Sequence, residues 1–240
     1  DFLMIGGNEE SFKEAKDLYK KIIKNNCSIE KLTLLESEIA KVSLNAYMTT
    51  KISFANYLQL ISNKLKSSSG IEVNAGRIAK AISNDTRIGN KFFRPGASYG
   101  GTCFPRDTWA MIKFSSEIGL NAEQMLANEK INESIDNLVF DEISKIKGPV
   151  GILGLGFKPN TAVVTEGLAS KILRRFSDSK LFLAYDRLSE AFENLEKEYN
   201  ISVEKSSIER IEKECELIVV CTPENFNINQ TNPKILNIWN

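Results

Sequence analysis

The sequence predicts an α/β protein in which an all-helical central part precedes a small parallel-sheet part, and two observations carry that prediction. Residues 36–66 run without a glycine or proline, and Ile39, Val42, Ala46, Ile52, Ala55 and Leu58 recur near helical spacing. Some 30 helical residues span about 45 Å, enough to form the spine of a domain or of a dimer. After Gly148-Pro149 the period changes. Residues 150–155, 181–185, 217–221 and 235–239 are short apolar runs, separated by helical stretches near 166–176, 189–199 and 207–214. Such alternation is the pattern of parallel strands covered by helices.

The other elements follow from their punctuation. Phe2 to Ile5, ahead of Gly6-Gly7, reads as a short buried strand whose sheet neighbours are expected upstream of residue 1. Helices are expected over 9–24 and 73–83, with Ser67-Ser68-Ser69-Gly70 ending the long helix between them. Residues 84–106 form a glycine-rich loop segment. A helix over 107–117 follows, with Asp107 a suitable N-cap, and another over 122–147 stops at Gly148-Pro149. Gly151, Gly154 and Gly156 suggest a dinucleotide turn, but the spacing is not GxGxxG. Phe157-Lys158-Pro159-Asn160 also stands where the helix should begin, so pyrophosphate binding is not expected there.

With 240 residues, 42% of them hydrophobic, the chain can bury the core of one large or two small domains. Its 31 Lys and Arg balance 31 Asp and Glu, which removes any global electrostatic case for nucleic acid or an anionic membrane as partner. No apolar run is long enough to span a bilayer. Cys27, Cys103, Cys215 and Cys221 lack paired spacing, which argues against a zinc site or a disulfide framework and suits a reducing cytoplasm. Histidine is absent, so acid/base work falls to Lys, Asp, Glu, Cys or water.

The segment Gly100-Gly101-Thr102-Cys103-Phe104-Pro105-Arg106-Asp107 speaks most directly of chemistry. A cysteine at the positive end of a helix favours thiolate and so suits a nucleophile. The same residues also suit a buried thiol beside a glycine turn, and on residue types alone both readings stand.

Four motifs narrow the choice. Glu38-x-x-Lys41-x-x-x-Asn45, Asp85-Thr86-Arg87-Ile88-Gly89, Arg94-Pro95-Gly96 through Tyr99 to Asp107, and Leu155-Gly156-Phe157-Lys158-Pro159-Asn160-Thr161 occur in that order. Together they resemble the nucleotide-sugar dehydrogenases, most closely the UDP-glucose 6-dehydrogenase branch. The resemblance implies that 1–7 is the last strand of an N-terminal NAD-binding domain missing from this sequence. It implies that 8–148 is a helical central domain dimerising through the 36–66 helix, and that 149–240 is a Rossmann-like nucleotide-sugar-binding domain.

The implied reaction oxidises a sugar C6 alcohol to a carboxylate, reducing two NAD, through a thiohemiacetal and then a thioester on Cys103. Lys41 and Asn45, four apart on one helix face, would stabilise oxyanions, and Asp107 would orient water. The resemblance gives Arg87 the substrate of a neighbouring subunit. It gives Arg94, Pro95, Gly96, Tyr99 and Gly100 the nucleotide diphosphate loop, and Phe157 and Lys158 the substrate, Lys158 at a phosphate. Cys103, Arg106 and Thr165 fall on the cofactor side. Each has a plainer reading: a solvated Lys41, an Arg87 paired with Asp85, an ordinary surface loop.

The match has departures. Where the family pattern carries Asp-Asp-x-Arg-Glu, this chain has Ala162-Val163-Val164-Thr165-Glu166, so Thr165 replaces an arginine that contacts NAD. The Cys-Phe-Pro-Arg-Asp form resembles UDP-glucose enzymes more than UDP-N-acetylmannosamine enzymes, and GDP-mannose is left open. Two classes of function stand: part of a catalyst, inactive without its NAD domain, or a non-catalytic nucleotide-sugar-binding or dimerisation module.

Overall fold

The computed structural model of the chain describes residues 2–228 and 234–239. Strand β1 (Phe2–Gly6) pairs in parallel with β2 (Ser28–Leu32) across helix α1 (Glu9–Ile22). The first strand, expected to find its neighbours upstream, therefore has one within the chain. Glu30 and Lys31 break the apolar run of β2, which is why no strand is expected there from sequence.

Helix α2 (Leu34–Ser69) is longer than expected because Thr33 starts it with a capping box to Glu36, and Gly70, at φ 70°, ends it. Its 36 residues span about 54 Å. It packs on α3 (Ala75–Ile82), α4 (Phe104–Glu117) and α5 (Glu123–Ser144). The buried seam is small and polar rather than oily: Ala46, Thr49, Ser53 and Asn56 all lie in it. Its polar groups are satisfied across the seam, Thr49 Oγ1 meeting Thr108 Oγ1 at 3.2 Å and Asn128 Nδ2 donating to Thr50 Oγ1 at 2.8 Å. On another face of α2, Tyr47, Phe54 and Ile61 form an exposed stripe at seven-residue spacing.

Helix α4 begins at Phe104, earlier than expected, because Pro105 is tolerated in the first turn of a helix. Cys103 therefore occupies the N-cap position, and Asp107 lies inside the first turn instead of capping it.

The second half is a five-stranded sheet, all parallel, in the order β5 (Glu204–Lys205), β4 (Phe182–Tyr185), β3 (Val150–Leu153), β6 (Leu217–Val220), β7 (Lys234–Asn237). Helices α6 (Leu168–Phe176) and α7 (Glu190–Tyr199) cover one face and α8 (Ile208–Glu214) the other. Burial on both faces explains the unbroken apolar runs of β3 and β6, in which Leu217 and Val219 face one core and Ile218 and Val220 the other. Val139 and Ile143 of α5 enter the first of these cores, so the helical half and the sheet half are packed around shared side chains. Among the described residues, no helix is long and apolar enough to cross a membrane.

Ile143 is fully buried where the halves meet. Ile143→Ala should lower the unfolding free energy by about 2–5 kcal/mol, read from urea denaturation.

Candidate active site

The centre of the site is one carboxylate. Asp107 is 3% exposed, and both of its oxygens are taken by donors. Oδ2 accepts from the Lys41 ammonium and, at 2.6 Å, from Asn45 Nδ2, while Oδ1 accepts from Arg106 Nε at 2.9 Å. Lys41 and Asn45 come from one face of α2, and Asp107 and Arg106 from the first turn of α4. Burial alone pushes the Asp107 carboxyl up. The hydrogen bonds from Lys41, Asn45 and Arg106 outweigh it, so the group lies below its ordinary value. Arg106 is held charged in turn, chiefly by Asp107.

Cys103 stands one turn before Asp107, exposed, with Thr102 Oγ1 3.6 Å from its sulfur. The other thiols differ. Burial pushes Cys215 up to about 11 and Cys221 higher still, so neither supplies thiolate near neutrality. Cys103, exposed at a helix N-cap and one turn from Asp107 and its donors, is accessible for attack.

The loop before Cys103 is held from both halves. A side chain at Gly100 would place its Cβ 2.1 Å from the Glu166 carbonyl oxygen, a backbone atom that cannot swing aside. Gly101 has φ +81°, and a Cβ there would run into the Phe157 ring. The Gly101 N–H donates to the Thr165 carbonyl at 2.8 Å. The Gly100-Gly101 pair is thus needed for close approach to the 165–167 backbone and to Phe157.

Upstream, two buried amides do the work of a backbone ladder. Asn56 accepts from Gly96 N–H at 2.9 Å and donates to the Ala97 carbonyl at 3.1 Å. Asn132 does the same for Tyr99, at 2.7 and 3.2 Å. The Tyr99 hydroxyl meets Glu129, and burial, then Glu129, pushes that phenol up. Pro95, Gly96, Tyr99 and Gly100 are buried, so this loop has its shape without a ligand. Neither asparagine is singled out by the sequence. The available signal was Asn56 falling at helical spacing after Thr49 and Ser53 on a face that has to be buried.

Other expected positions are more scattered. Arg87 pairs with its neighbour Asp85, the guanidinium meeting Oδ2 at 2.6 Å, and is highly exposed. Lys158 is exposed, its ammonium 5.3 Å from the Phe157 ring centre. Thr165 donates its hydroxyl to Glu198 at 2.9 Å. Arg94 donates to the Trp239 carbonyl at 2.7 Å, at the rim of a cleft of about 850 Å³.

That cleft opens beside the carboxyl end of β6, between the segment that follows it and β7. Thr222 and Trp239 line it, and neither Thr222 Oγ1 nor Trp239 Nε1 has a hydrogen-bond partner among the described residues. The glycine turn after β3 is different. A Cβ at Gly154 would lie 2.2 Å from Thr222 Oγ1, one at Gly151 2.3 Å from Ile211, and one at Gly156 2.2 Å from the Thr161 carbonyl. The space those glycines leave is filled by the protein itself, so the turn does not fit a dinucleotide.

The site thus joins an exposed cysteine and a Lys-Asn-Asp cluster in the helical half to a parallel sheet with a cleft beside β6 and β7. Residues 35–134 match the central domain of the UDP-glucose/GDP-mannose dehydrogenase family. A UDP-glucose 6-dehydrogenase of Bacillus subtilis is 30% identical over 196 residues, covering 79% of this chain and 42% of the relative. A second from the same organism is 34% identical over 148 residues, 60% of this chain and 31% of that protein. The solved UDP-glucose dehydrogenase of the archaeon Pyrobaculum islandicum superposes with a TM-score of 0.87 at 26% identity, over 99% of this chain and 55% of that one. The chain belongs to the nucleotide-sugar dehydrogenase family. It spans less than half the length of the two Bacillus relatives.

Because Asp107 is held below the ordinary value of 3.8, its stabilisation is complete above that pH and is lost as pH falls through its own lower value. Asp107→Asn should therefore be less stable than the parent at pH 6 by about 1–3 kcal/mol, with the gap narrowing as pH falls below 3.8, as measured by urea unfolding across that range.

Proposed function

We propose that this chain supplies the cysteine centre and the nucleotide-sugar cleft of an NAD-dependent UDP-glucose 6-dehydrogenase. In this reading 8–148 is the catalytic and dimerising domain and 149–240 the nucleotide-sugar domain, in the cytoplasm. The observation that carries it is the meeting of Lys41 and Asn45 on Asp107, one helical turn from the exposed Cys103. The UDP-glucose dehydrogenases among the relatives supply the substrate class.

Overall, a C6 alcohol becomes a carboxylate, with water giving the second oxygen and NAD taking the electrons. Cys103 enters at the aldehyde level. Its thiolate adds to the carbonyl carbon, a C–S bond forms, and the carbonyl electron pair moves onto oxygen. The Lys41 ammonium and Asn45 amide, already gathered at one point, stabilise that oxyanion. At the thioester level water attacks the carbonyl carbon, the C–S bond breaks, and thiolate leaves. Asp107 fixes both donors and accepts a hydrogen bond from the attacking water. The sugar's nucleotide lies toward the cleft bordered by Arg94, Thr222 and Trp239, with Phe157 and Lys158 beside the glycines that precede the thiol. Arg87 is free to exchange Asp85 for a substrate in a neighbouring copy. Arg106 and Thr165 line the cofactor side only after giving up Asp107 and Glu198, and the glycine turn offers a dinucleotide no cradle, so no hydride step is assigned to these residues.

The full-length protein given UDP-glucose should form UDP-glucuronate with two NADH per sugar, and Cys103→Ala should lower kcat by a factor on the order of 10³ or more. The 240-residue chain alone should form no NADH. Wild-type turnover of another nucleotide sugar in place of UDP-glucose would move the substrate assignment, and an active Cys103→Ala would overturn the mechanism.

The stripe of Tyr47, Phe54 and Ile61 supports a homodimer formed through α2. Sedimentation should give a dimer, and Phe54→Asp should shift it to monomer. A monomeric parent would contradict this.

A further inference from the structure

Lys171 sits on α6, in the sheet half, yet its side chain is only 14% exposed. Its ammonium donates to Asp136 Oδ2 on α5 at 2.9 Å and to Ser98 Oγ in the 94–100 loop at 3.1 Å. The Ser98 hydroxyl in turn donates to Asp136 Oδ1, closing a three-membered network whose serine and aspartate are buried. We propose that Lys171 is a positioning residue that pins the 94–101 loop to the sheet half and thereby sets how tightly a nucleotide sugar binds, leaving the thiol chemistry untouched.

Both halves of the molecule hold the loop. Asn56 and Asn132 tie it to α2 and α5, both in the helical half. From the sheet half, the Thr165 carbonyl takes the Gly101 N–H, and Arg94 reaches the Trp239 carbonyl at the exposed rim. Among the described residues, Lys171 is the half-buried side chain of the sheet half that hydrogen-bonds into the loop.

A buried ion pair adds little net stability, because desolvation offsets most of its attraction. What such a pair does well is fix one geometry. Asp136 is the buried member, so Lys171 cannot swing into the cleft it borders without leaving that carboxylate's charge unpaired. Loop, α5 and α6 are therefore held in one register. Lys41, Asn45, Asp107 and Cys103 lie on α2 and at the start of α4, and their hydrogen bonds share no partner with this network. Loss of the pin should shift Arg94 and Gly100 relative to Phe157 and Lys158 while leaving the Asp107 cluster intact.

Amide hydrogen exchange on the 240-residue chain reads the pin without needing activity. In Lys171→Met, the Tyr99 and Gly101 amides should exchange about tenfold faster or more, while the 49–56 stretch of α2 keeps its protection. Lys171→Arg, which keeps charge and reach, should recover most of the protection. If Lys171→Met does not fold, the double variant Asp136→Leu/Lys171→Met removes both buried charges and still frees Ser98. In the full-length protein, where the inference rests on the dehydrogenase reading, KM for UDP-glucose should rise about tenfold with kcat changed less than about threefold. Unchanged exchange at Tyr99 and Gly101 in a folded variant, exchange accelerated equally along α2, or a fall in kcat at constant KM would each overturn the proposal. Absence of any UDP-glucose turnover by the parent would sink the dehydrogenase reading and leave the exchange result to decide the pin.

Discussion

A carboxylate buried as deeply as Asp107 has to be surrounded by donors, and the rest of the site is arranged by that requirement. An unpaired buried charge costs several kcal/mol, whereas a hydrogen bond to a charged group contributes roughly 1.5–3 kcal/mol. Three donors are enough to reverse the balance, in keeping with a carboxyl held below its ordinary value despite its burial. Two of the donors come from α2 and the third from the residue beside Asp107. The carboxylate therefore does two things at once. It locks α4 onto α2, and it gathers an ammonium and an amide one turn from a cysteine at the helix N-cap.

The second constraint is steric. The cysteine loop passes so close to Glu166 and Phe157 that only glycines fit at 100 and 101. Close approach of this kind is useful only if the halves do not drift, and shared packing of Val139 and Ile143 with the sheet supplies that rigidity. A reacting group bound between the 94–101 loop and the sheet would thus meet a thiol whose position both halves determine.

Much of this was legible in the residues, for reasons that differ by element. Helix α2 could be read because nothing in it breaks a helix, and the parallel sheet because strands buried on both faces are continuously apolar. Lys41, Asn45, Cys103 and Asp107 could be brought together through their motifs, and α2 and α4 do bring Lys41 and Asn45 onto Asp107. Strand β2 was hidden by Glu30 and Lys31, whose faces only the pairing with β1 reveals. Asp107 reads as an N-cap until Pro105 is allowed into the first turn. Asn132 and Lys171 could not be found, and Asn56 only through its spacing after Thr49 and Ser53, because a polar residue shows its purpose only when the backbone or charge it satisfies is known. Arg87 is the opposite case: its motif is clear, and the structure gives it the plain local pairing with Asp85.

In the proposed chemistry Cys103 carries the substrate covalently while Asp107 governs what Lys41 and Asn45 can do for it. It is tested most directly by acid-quenching the full-length Asp107→Asn protein during reaction with UDP-glucose and NAD, then mapping its cysteine peptides by mass spectrometry. A UDP-hexuronyl thioester is expected on the Cys103 peptide and on no other. Turnover with no adduct at Cys103, or an adduct on Cys27, would contradict it.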